Sequence, residues 1–155
     1  MSNHILFYYL MLFIILQRII ELSIARRHES GLKGLGAYEI GQRHYKWMLT
    51  SHTLFFVSLL IEVLVLNRHP AEWWWLPFGL FIVAQLVRIW AIYSLGEFWN
   101  TKIIILPGAE VIVKGPYKYL RHPNYLIVIV EIIMVPLIFQ AYVTMIGFTL
   151  FNAVL

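Results

Sequence analysis

Three long apolar runs set the strongest limit on how this chain can fold. They extend from His4 to about Ala25, from Trp47 to Leu66, and from Trp73 to about Leu95. A helix of about 20 apolar residues is long enough to cross the roughly 30 Å hydrocarbon core of a bilayer. With 61% hydrophobic and only 13% charged residues, the composition excludes an ordinary soluble domain. We therefore predict an all-α integral membrane protein, with residues 1–155 forming a single membrane-embedded domain.

Two further apolar runs follow near the C-terminal end. They cover Asn124 to Gln140, which contains Pro136, and Ala141 to Leu155. The last run has 15 residues, or about 22 Å of helix, which is short for a full crossing. Either the two runs form a tight helical hairpin or the chain has been cut short. We predict five transmembrane helices, with the last two arranged as a helical hairpin.

Lysine and arginine are distributed unequally between the segments that connect these runs. Residues 26–46 contain five of them and residues 96–123 contain four, whereas the turn between the second and third runs contains only Arg68. Cytoplasmic loops of membrane proteins are enriched in these residues. We therefore expect the N-terminus to lie outside and both long loops to lie in the cytoplasm.

The two long loops have different local patterns. Residues 26–46 contain four glycines, which predict an irregular loop with at most a short helical piece. In the second loop, Lys102 to Leu106 and Glu110 to Lys114 are rich in β-branched residues and are separated by Pro-Gly-Ala. This pattern predicts a small cytoplasmic β-hairpin before the fourth helix.

Several classes of site are disfavoured by composition. The chain has no cysteine, so disulfides, thiolate metal sites and cysteine nucleophiles are excluded. Every acidic residue is glutamate and no histidine has a partner at metal-ligand spacing, so we expect no metal. The net charge of +4 comes from residues placed between apolar runs, where they set topology, so we expect no nucleic-acid partner.

Polar side chains recur at helical spacing within the predicted spans. They are Gln17, Arg18 and Glu21 in the first span; Ser51, Ser58 and Glu62 in the second; Gln85 and Arg88 in the third; and Asn124 and Glu131 in the fourth. A charge inside a membrane span usually faces the bundle interior. Because Arg88 and Glu131 each lie about seven residues, or roughly 10 Å, from a cytoplasmic end, we predict that Arg88 contacts Glu131 or Glu21.

Two interpretations of this polar group remain open. The charges can simply bridge helices and neutralise one another. Alternatively, Arg88 and Glu131 form the floor of a pocket above which Arg121 and His122 lie. The segment that contains Arg121 is the most polar and turn-prone stretch between the apolar runs.

The start of the fourth helix carries the features of an anion site. Pro123 suits the first helical position, and the residue before a proline, His122, is driven out of the helical region. The free N–H groups at a helix N-terminus, together with Arg121 and His122, attract a carboxylate or phosphate. We therefore predict that this segment is the active centre.

The same segment resembles a known family of membrane enzymes. Gly115 to Tyr125 reads Gly-Pro-Tyr-Lys-Tyr-Leu-Arg-His-Pro-Asn-Tyr, the complete hallmark pattern of the isoprenylcysteine carboxyl methyltransferases. Leu95 to Asn100 is similar to the Leu-Gly-x-x-Trp element that precedes this pattern in the family. The stretch from Gln17 to Glu21 is similar to the short bacterial branch that includes O-methylases of alkylpyrones.

The resemblance implies a cofactor, an acceptor and a set of site residues. The cofactor would be S-adenosylmethionine, bound at an active site that faces the cytoplasm in a bacterial cytoplasmic membrane. A lipophilic small molecule would enter from the bilayer, with membrane lipids as the surroundings. Arg121 and His122 would be the catalytic residues, binding the carboxylate of the cofactor. The cofactor-binding residues would be Tyr117, Arg121, His122, Pro123 and Tyr125, and the acceptor would contact Trp99, Asn100 and Glu131.

The chain departs from the family pattern in one respect. The family continues after its helical hairpin with a segment bearing an arginine and paired glutamates, which is not found up to Leu155; without it we expect weak cofactor binding.

Methyl transfer from a sulfonium is an in-line displacement, so an acceptor that is already an anion needs no general base. An alkylpyrone-type enol or a prenylcysteine-type carboxylate fits that condition.

Two other functions are compatible with the residues alone. An NADPH-dependent membrane reductase of the steroid-reductase type has a similar helical end, but a dinucleotide needs more phosphate contacts than Arg121 and Lys118 offer. A small transporter or membrane scaffold would use the intramembrane charges as a pathway, but no repeated half-structure is visible.

Overall fold

The computed structural model describes residues 4–154, and within this range it contains five α-helices and one two-stranded sheet. The helices are α1 (Ile5–Gly34), α2 (Gln42–Val65), α3 (Trp75–Leu95), α4 (Pro123–Ile138) and α5 (Tyr142–Val154), and the strands are β1 (Tyr38–Ile40) and β2 (Ile103–Ile105). The first three helices are long and apolar enough to cross a membrane. With 16 and 13 residues, α4 and α5 are shorter than a full span.

The first long loop is more helical than the sequence predicts. α1 continues through Arg26 and Arg27 to Gly34, so the prediction of an irregular loop is wrong for residues 26–34. Two glycines, Gly31 and Gly34, lie inside the helix, where each costs about 1 kcal/mol relative to alanine. Extending an existing helix needs no new nucleation, and this offsets the local cost of the glycines.

The predicted β-hairpin is also wrong, although one of its strands exists. β2 pairs antiparallel with β1 from the first long loop, with Tyr38 opposite Ile105 and Ile40 opposite Ile103. Residues 110–114 form no strand. The ammonium group of Lys102, beside β2, lies 3.2 Å from a carboxylate oxygen of Glu29 at the end of α1. The sheet therefore joins the two loops across the bundle.

α4 and α5 are joined by three residues and pack against each other, so the predicted helical hairpin exists, although both helices are short. The turn is closed by the backbone N–H of Ala141, which donates to the carbonyl of Pro136 over 2.9 Å. Gln140 has a positive φ of 58° there, and its side-chain amide donates to the carbonyl of His69. The hairpin is thus anchored to the turn between α2 and α3.

The apolar core lies in one half of the bundle, away from the α4 N-terminus. Its most buried members come from α1, α2, α3, α4 and the α4–α5 turn: Phe7, Leu59, Val63, Phe81, Val135, Ile138, Phe139 and Ala141. Phe7 and Phe139 meet edge to face with ring centroids 5.1 Å apart. This packing leaves the opposite half of the bundle to the polar residues.

Glu62 has a structural role at the end of that core. Its two carboxylate oxygens accept the backbone N–H groups of Val143 and Thr144, at 3.1 and 2.8 Å, and so cap the start of α5 from a different helix. We expect Glu62→Gln to lower the free energy of unfolding by about 1–2 kcal/mol, because the amide can accept only one of these hydrogen bonds well. Denaturant unfolding in detergent measures the change.

The same Glu62→Gln variant should bind cofactor as tightly as the wild type. The matched control is Glu72→Gln, since Glu72 is an exposed glutamate in the nearby turn and no described residue bonds to its side chain. If the two variants have the same free energy of unfolding, the hydrogen bonds of Glu62 to the start of α5 do not stabilise the fold.

Candidate active site

Two arginines and two glutamates form an ionic cluster inside the helix bundle. Arg88, with only 2% of its surface exposed, donates to Glu21 at 3.0 Å and to Glu131 at 2.6 Å. Arg18 bridges the same two carboxylates at 3.1 and 2.5 Å. The prediction that Arg88 contacts Glu131 or Glu21 is confirmed, and it contacts both. The four charges sum to zero.

Two glutamines complete the cluster. Gln85 donates to Glu131 over 2.7 Å and accepts a hydrogen bond from Gln17. α1, α3 and α4 are therefore tied together through polar contacts at one level of the bundle. Buried charges are tolerated when they are paired and hydrogen-bonded, as these are.

A cavity of about 290 Å³ lies directly beside this cluster, mainly between α1 and α2. Its polar wall includes Arg18, Glu21 and Arg88, and most of the remaining wall is aliphatic or aromatic. Glu131 lines a smaller neighbouring space instead. Arg88 therefore lies at the wall of this cavity and Glu131 lies behind it, so the two residues do not together form the predicted pocket floor.

Trp99 and Asn100, both predicted to contact the acceptor, have different positions. Trp99 is 2% exposed and lines the cavity, while its backbone carbonyl accepts a 2.7 Å hydrogen bond from His28. The side-chain amide of Asn100 donates to the carbonyl of Ala25 over 2.8 Å, and its oxygen accepts the N–H of Lys102. Asn100 does not line the cavity and instead holds the Trp99 segment against α1.

The Gly-Pro-Tyr segment forms a 3₁₀ turn, Gly115–Lys118, against the end of α3. Gly115 has a φ of +56°, and a Cβ atom there would lie 2.0 Å from Ser94 Oγ. Only glycine allows both this conformation and this close approach. The turn half-buries Tyr117, and this burial raises the pKa of its hydroxyl above the ordinary value.

The start of α4 matches the sequence expectation. Pro123 is the first helical residue and is buried, and His122 precedes it with φ −132° and ψ 68°, outside the helical region. No side chain caps this N-terminus. Arg121, His122 and Tyr125 are exposed around it. Pro123 has no N–H and the N–H of Tyr125 already donates to the carbonyl of His122 over 3.1 Å, so the first turn offers the N–H of Asn124. The predicted anion site therefore has one such backbone donor and accessible side chains, but Arg121 and His122 do not line the cavity.

Asn124 connects the helix start to the cavity. It lies in the first turn of α4 and its side chain lines the cavity. Its Oδ1 atom is buried without a hydrogen-bond partner among residues 4–154. A buried polar atom without a partner is costly, which is typical of a place where a bound ligand donates.

These residues fit S-adenosylmethionine. An uncapped helix N-terminus with Arg121 and His122 suits the carboxylate of an amino-acid moiety. The tyrosines Tyr117 and Tyr125 suit a sulfonium or an adenine ring. The unpartnered oxygen of Asn124 suits an ammonium or amino group.

The sequence reasoning missed the contribution of α2 to this site. Tyr45, Met48, His52 and Phe56 all line the cavity, and none was a candidate site residue. The signal was present, because Tyr45 and His52 are seven residues apart and Phe56 follows four residues later, which places all three on one helix face.

Comparisons with known proteins identify the family of the chain. The family model for the isoprenylcysteine carboxyl methyltransferase family matches residues 75–155, from the start of α3 onward. The uncharacterized protein YpbQ of Bacillus subtilis is 49% identical over 150 residues, covering 97% of this chain and 89% of that protein. An uncharacterized protein of Haemophilus influenzae is 32% identical over 140 residues, covering 89% of this chain and 81% of that protein. No solved structure gives a significant match.

Proposed function

Because the chain belongs to the isoprenylcysteine carboxyl methyltransferase family, we propose that it is an S-adenosylmethionine-dependent O-methyltransferase that acts on a lipophilic acidic acceptor in the membrane. The observation that carries this proposal is the position of Asn124. It places the uncapped start of α4, which ends the family pattern, next to a cavity with a largely apolar wall. The proposed site for the polar cofactor at the α4 start is therefore adjacent to a cavity that suits a lipophilic acceptor.

The roles of the chain's own groups follow from their positions. Arg121, His122 and the N–H of Asn124 would bind the carboxylate of the cofactor and fix its orientation. The hydroxyl of Tyr117, on the 3₁₀ turn, would donate a hydrogen bond to the cofactor, and Trp99 forms part of the cavity wall. S-adenosylmethionine, when bound, supplies an activated methyl group. Holding donor and acceptor in line can supply several kcal/mol of the barrier.

The acceptor reaches the site from the bilayer in this proposal. A chain with three membrane-length apolar helices suits a substrate that partitions into lipid, where each buried CH₂ contributes about 0.8 kcal/mol. An alkylpyrone-type enol or a prenylcysteine-type carboxylate meets this requirement. The excess of lysine and arginine in the loops supports an active site on the cytoplasmic side, with the N-terminus outside.

The proposed function is tested by titrating S-adenosylhomocysteine into the detergent-purified protein, with NADPH as a parallel ligand. We expect saturable binding of S-adenosylhomocysteine alone. The titration should include any longer product of the same gene. Binding of NADPH instead, or of neither compound by folded protein, would reject the methyltransferase proposal.

Substitution of the anion site should weaken that binding. We expect Arg121→Ala and His122→Ala each to raise the Kd for S-adenosylhomocysteine about 10-fold or more, because a hydrogen bond to a charged group contributes about 1.5–3 kcal/mol. Isothermal titration calorimetry gives the Kd values. The matched control is Arg43→Ala, which removes an exposed arginine in the first turn of α2 and should leave the Kd unchanged. Unchanged affinity in both test variants would contradict the anion site.

A further inference from the structure

We propose that His52 on α2 accepts the proton of the methyl acceptor, and that the acceptor is a single-chain amphiphile carrying a weakly acidic hydroxyl, such as a phenol or an enol. This inference rests on the proposed methyltransferase function and narrows its acceptor to hydroxyl compounds, excluding carboxylates. It assigns a role in the chemistry to the N-terminal half of the chain, outside the residues that the family model matches.

The tautomer of His52 follows from its backbone contact. Its Nδ1 atom lies 2.8 Å from the carbonyl oxygen of Met48, one turn earlier in α2. A carbonyl oxygen can only accept a hydrogen bond, so Nδ1 carries the proton of the neutral ring. Nε2 then has a free lone pair. Among residues 4–154, no group donates a hydrogen bond to it.

His52 is also placed to meet a ligand. It lines the large cavity together with Arg88, Trp99 and Asn124, and it lines the smaller neighbouring space as well. Asn124 belongs to the α4 start, where the cofactor is proposed to bind. An acceptor oxygen in this cavity can therefore face His52 on one side and the cofactor on the other.

The charges at the cavity favour a neutral headgroup. The charged residues that line it are Arg18, Glu21 and Arg88. The terminal guanidinium nitrogens of both arginines already donate to the carboxylates of the ionic cluster, so that only their Nε–H groups are buried without a partner among residues 4–154. A carboxylate entering this space would lose its hydration without gaining an unpaired cation. A hydroxyl group enters at a lower free-energy cost of desolvation, because it is uncharged and its proton can be donated to Nε2 of His52.

The cavity opens sideways, toward lipid. Ile15, Ile19 and Leu49 line it, and they are also 47, 58 and 48% exposed on the apolar outer faces of α1 and α2. An alkyl chain can therefore lie between these two helices while its headgroup lies beside His52. This geometry favours one flexible chain attached to a small polar group.

The proposed step balances as follows. The acceptor oxygen forms a bond to the methyl carbon, the sulfur–methyl bond breaks, and its electron pair stays on sulfur. The hydroxyl proton moves to Nε2 of His52, which becomes a cation. Loss of that proton to solvent restores the neutral ring.

Equilibrium binding to the cofactor-free protein tests this proposal without measuring turnover. The probes are 4-decylphenol, its methyl ether 4-decylanisole, and decanoate, titrated into protein in detergent. We expect wild type to bind the phenol about 10-fold more tightly than the ether, and more tightly than decanoate. Decanoate binding as tightly as the phenol would overturn the proposal.

Two substitutions of His52 distinguish the roles of its two ring nitrogens. In His52→Asn the amide can still donate to the Met48 carbonyl but places no acceptor where Nε2 lies, so the phenol should lose its advantage over the ether. His52→Gln carries an acceptor oxygen near the Nε2 position and should keep the preference. A preference retained in the asparagine variant would overturn the role of His52.

The failure of this inference is distinguishable from failure of the proposed function. S-adenosylhomocysteine should bind both His52 variants with the wild-type Kd, which also shows that they are folded. Turnover of 4-decylphenol should fall at least 100-fold in both variants, since an amide does not accept the proton. Intact turnover in His52→Asn would overturn the proposal even if cofactor binding is confirmed.

Discussion

Arg88→Met is expected to lower the free energy of unfolding by about 3–5 kcal/mol, the usual cost of removing one partner from a buried ion pair. Arg88 donates to Glu21 and to Glu131 and is almost fully buried. Methionine fills a similar volume but leaves two carboxylates with Arg18 as their only cation. Thermal unfolding in detergent, calibrated against a denaturant titration, measures the loss.

Two controls make this prediction specific. Arg27→Met removes an exposed arginine from the same bundle and should change stability by less than about 0.5 kcal/mol. Adding Glu131→Gln to Arg88→Met removes the excess negative charge and should recover part of the loss. If the Arg88 and Arg27 variants are equally stable, the ionic cluster does not stabilise the fold.

Gly115→Ala is expected to weaken S-adenosylhomocysteine binding at least 10-fold. A Cβ atom there would lie 2.0 Å from Ser94 Oγ and 2.9 Å from Trp90 Nε1, and the φ of +56° disfavours any side chain. The 3₁₀ turn must therefore move away from α3, and Tyr117 and the start of α4 move with it. Calorimetric titration gives the affinity, and circular dichroism shows whether the helices persist.

The sequence provides a matched control for the backbone conformation. Gly96 has a φ of +54°, but a Cβ atom there would meet nothing within 4 Å. Gly96→Ala therefore carries the conformational strain without the clash, and the difference between the two variants isolates the contact with α3. Shortening Ser94 to alanine in the Gly115→Ala background should recover part of the affinity. Equal affinities for Gly96→Ala and Gly115→Ala would show that the close approach is unimportant.

Local rules predicted the start of α4 well. The restrictions that Pro123 places on itself and on His122 depend only on neighbouring atoms, and the structure shows both. The same holds for the ionic cluster, because helical spacing and depth in a membrane leave few places for a charge. Arg88 consequently meets the carboxylates that the sequence indicates.

Predictions that depended on distant partners were less successful. β2 contains the residues of a strand, but its partner is β1, more than 60 residues earlier, rather than the nearby run at 110–114. Both pairings satisfy the same local preferences, and only the packing of α1 beside α3 brings β1 within reach. The cavity has the same origin, since its wall combines α1, α2 and the segment around Trp99.

The sequence by itself determined the three membrane-length helices, the family and the position of the α4 start, because hydrophobic length and proline geometry act over a few neighbouring residues. Only the tertiary structure decided that α2 contributes His52, that Trp99 lines the cavity and Asn100 does not, and that Arg121 and His122 lie outside it. Those outcomes depend on how helices rotate and pack against one another, and that packing is a sum over contacts between residues far apart in the chain.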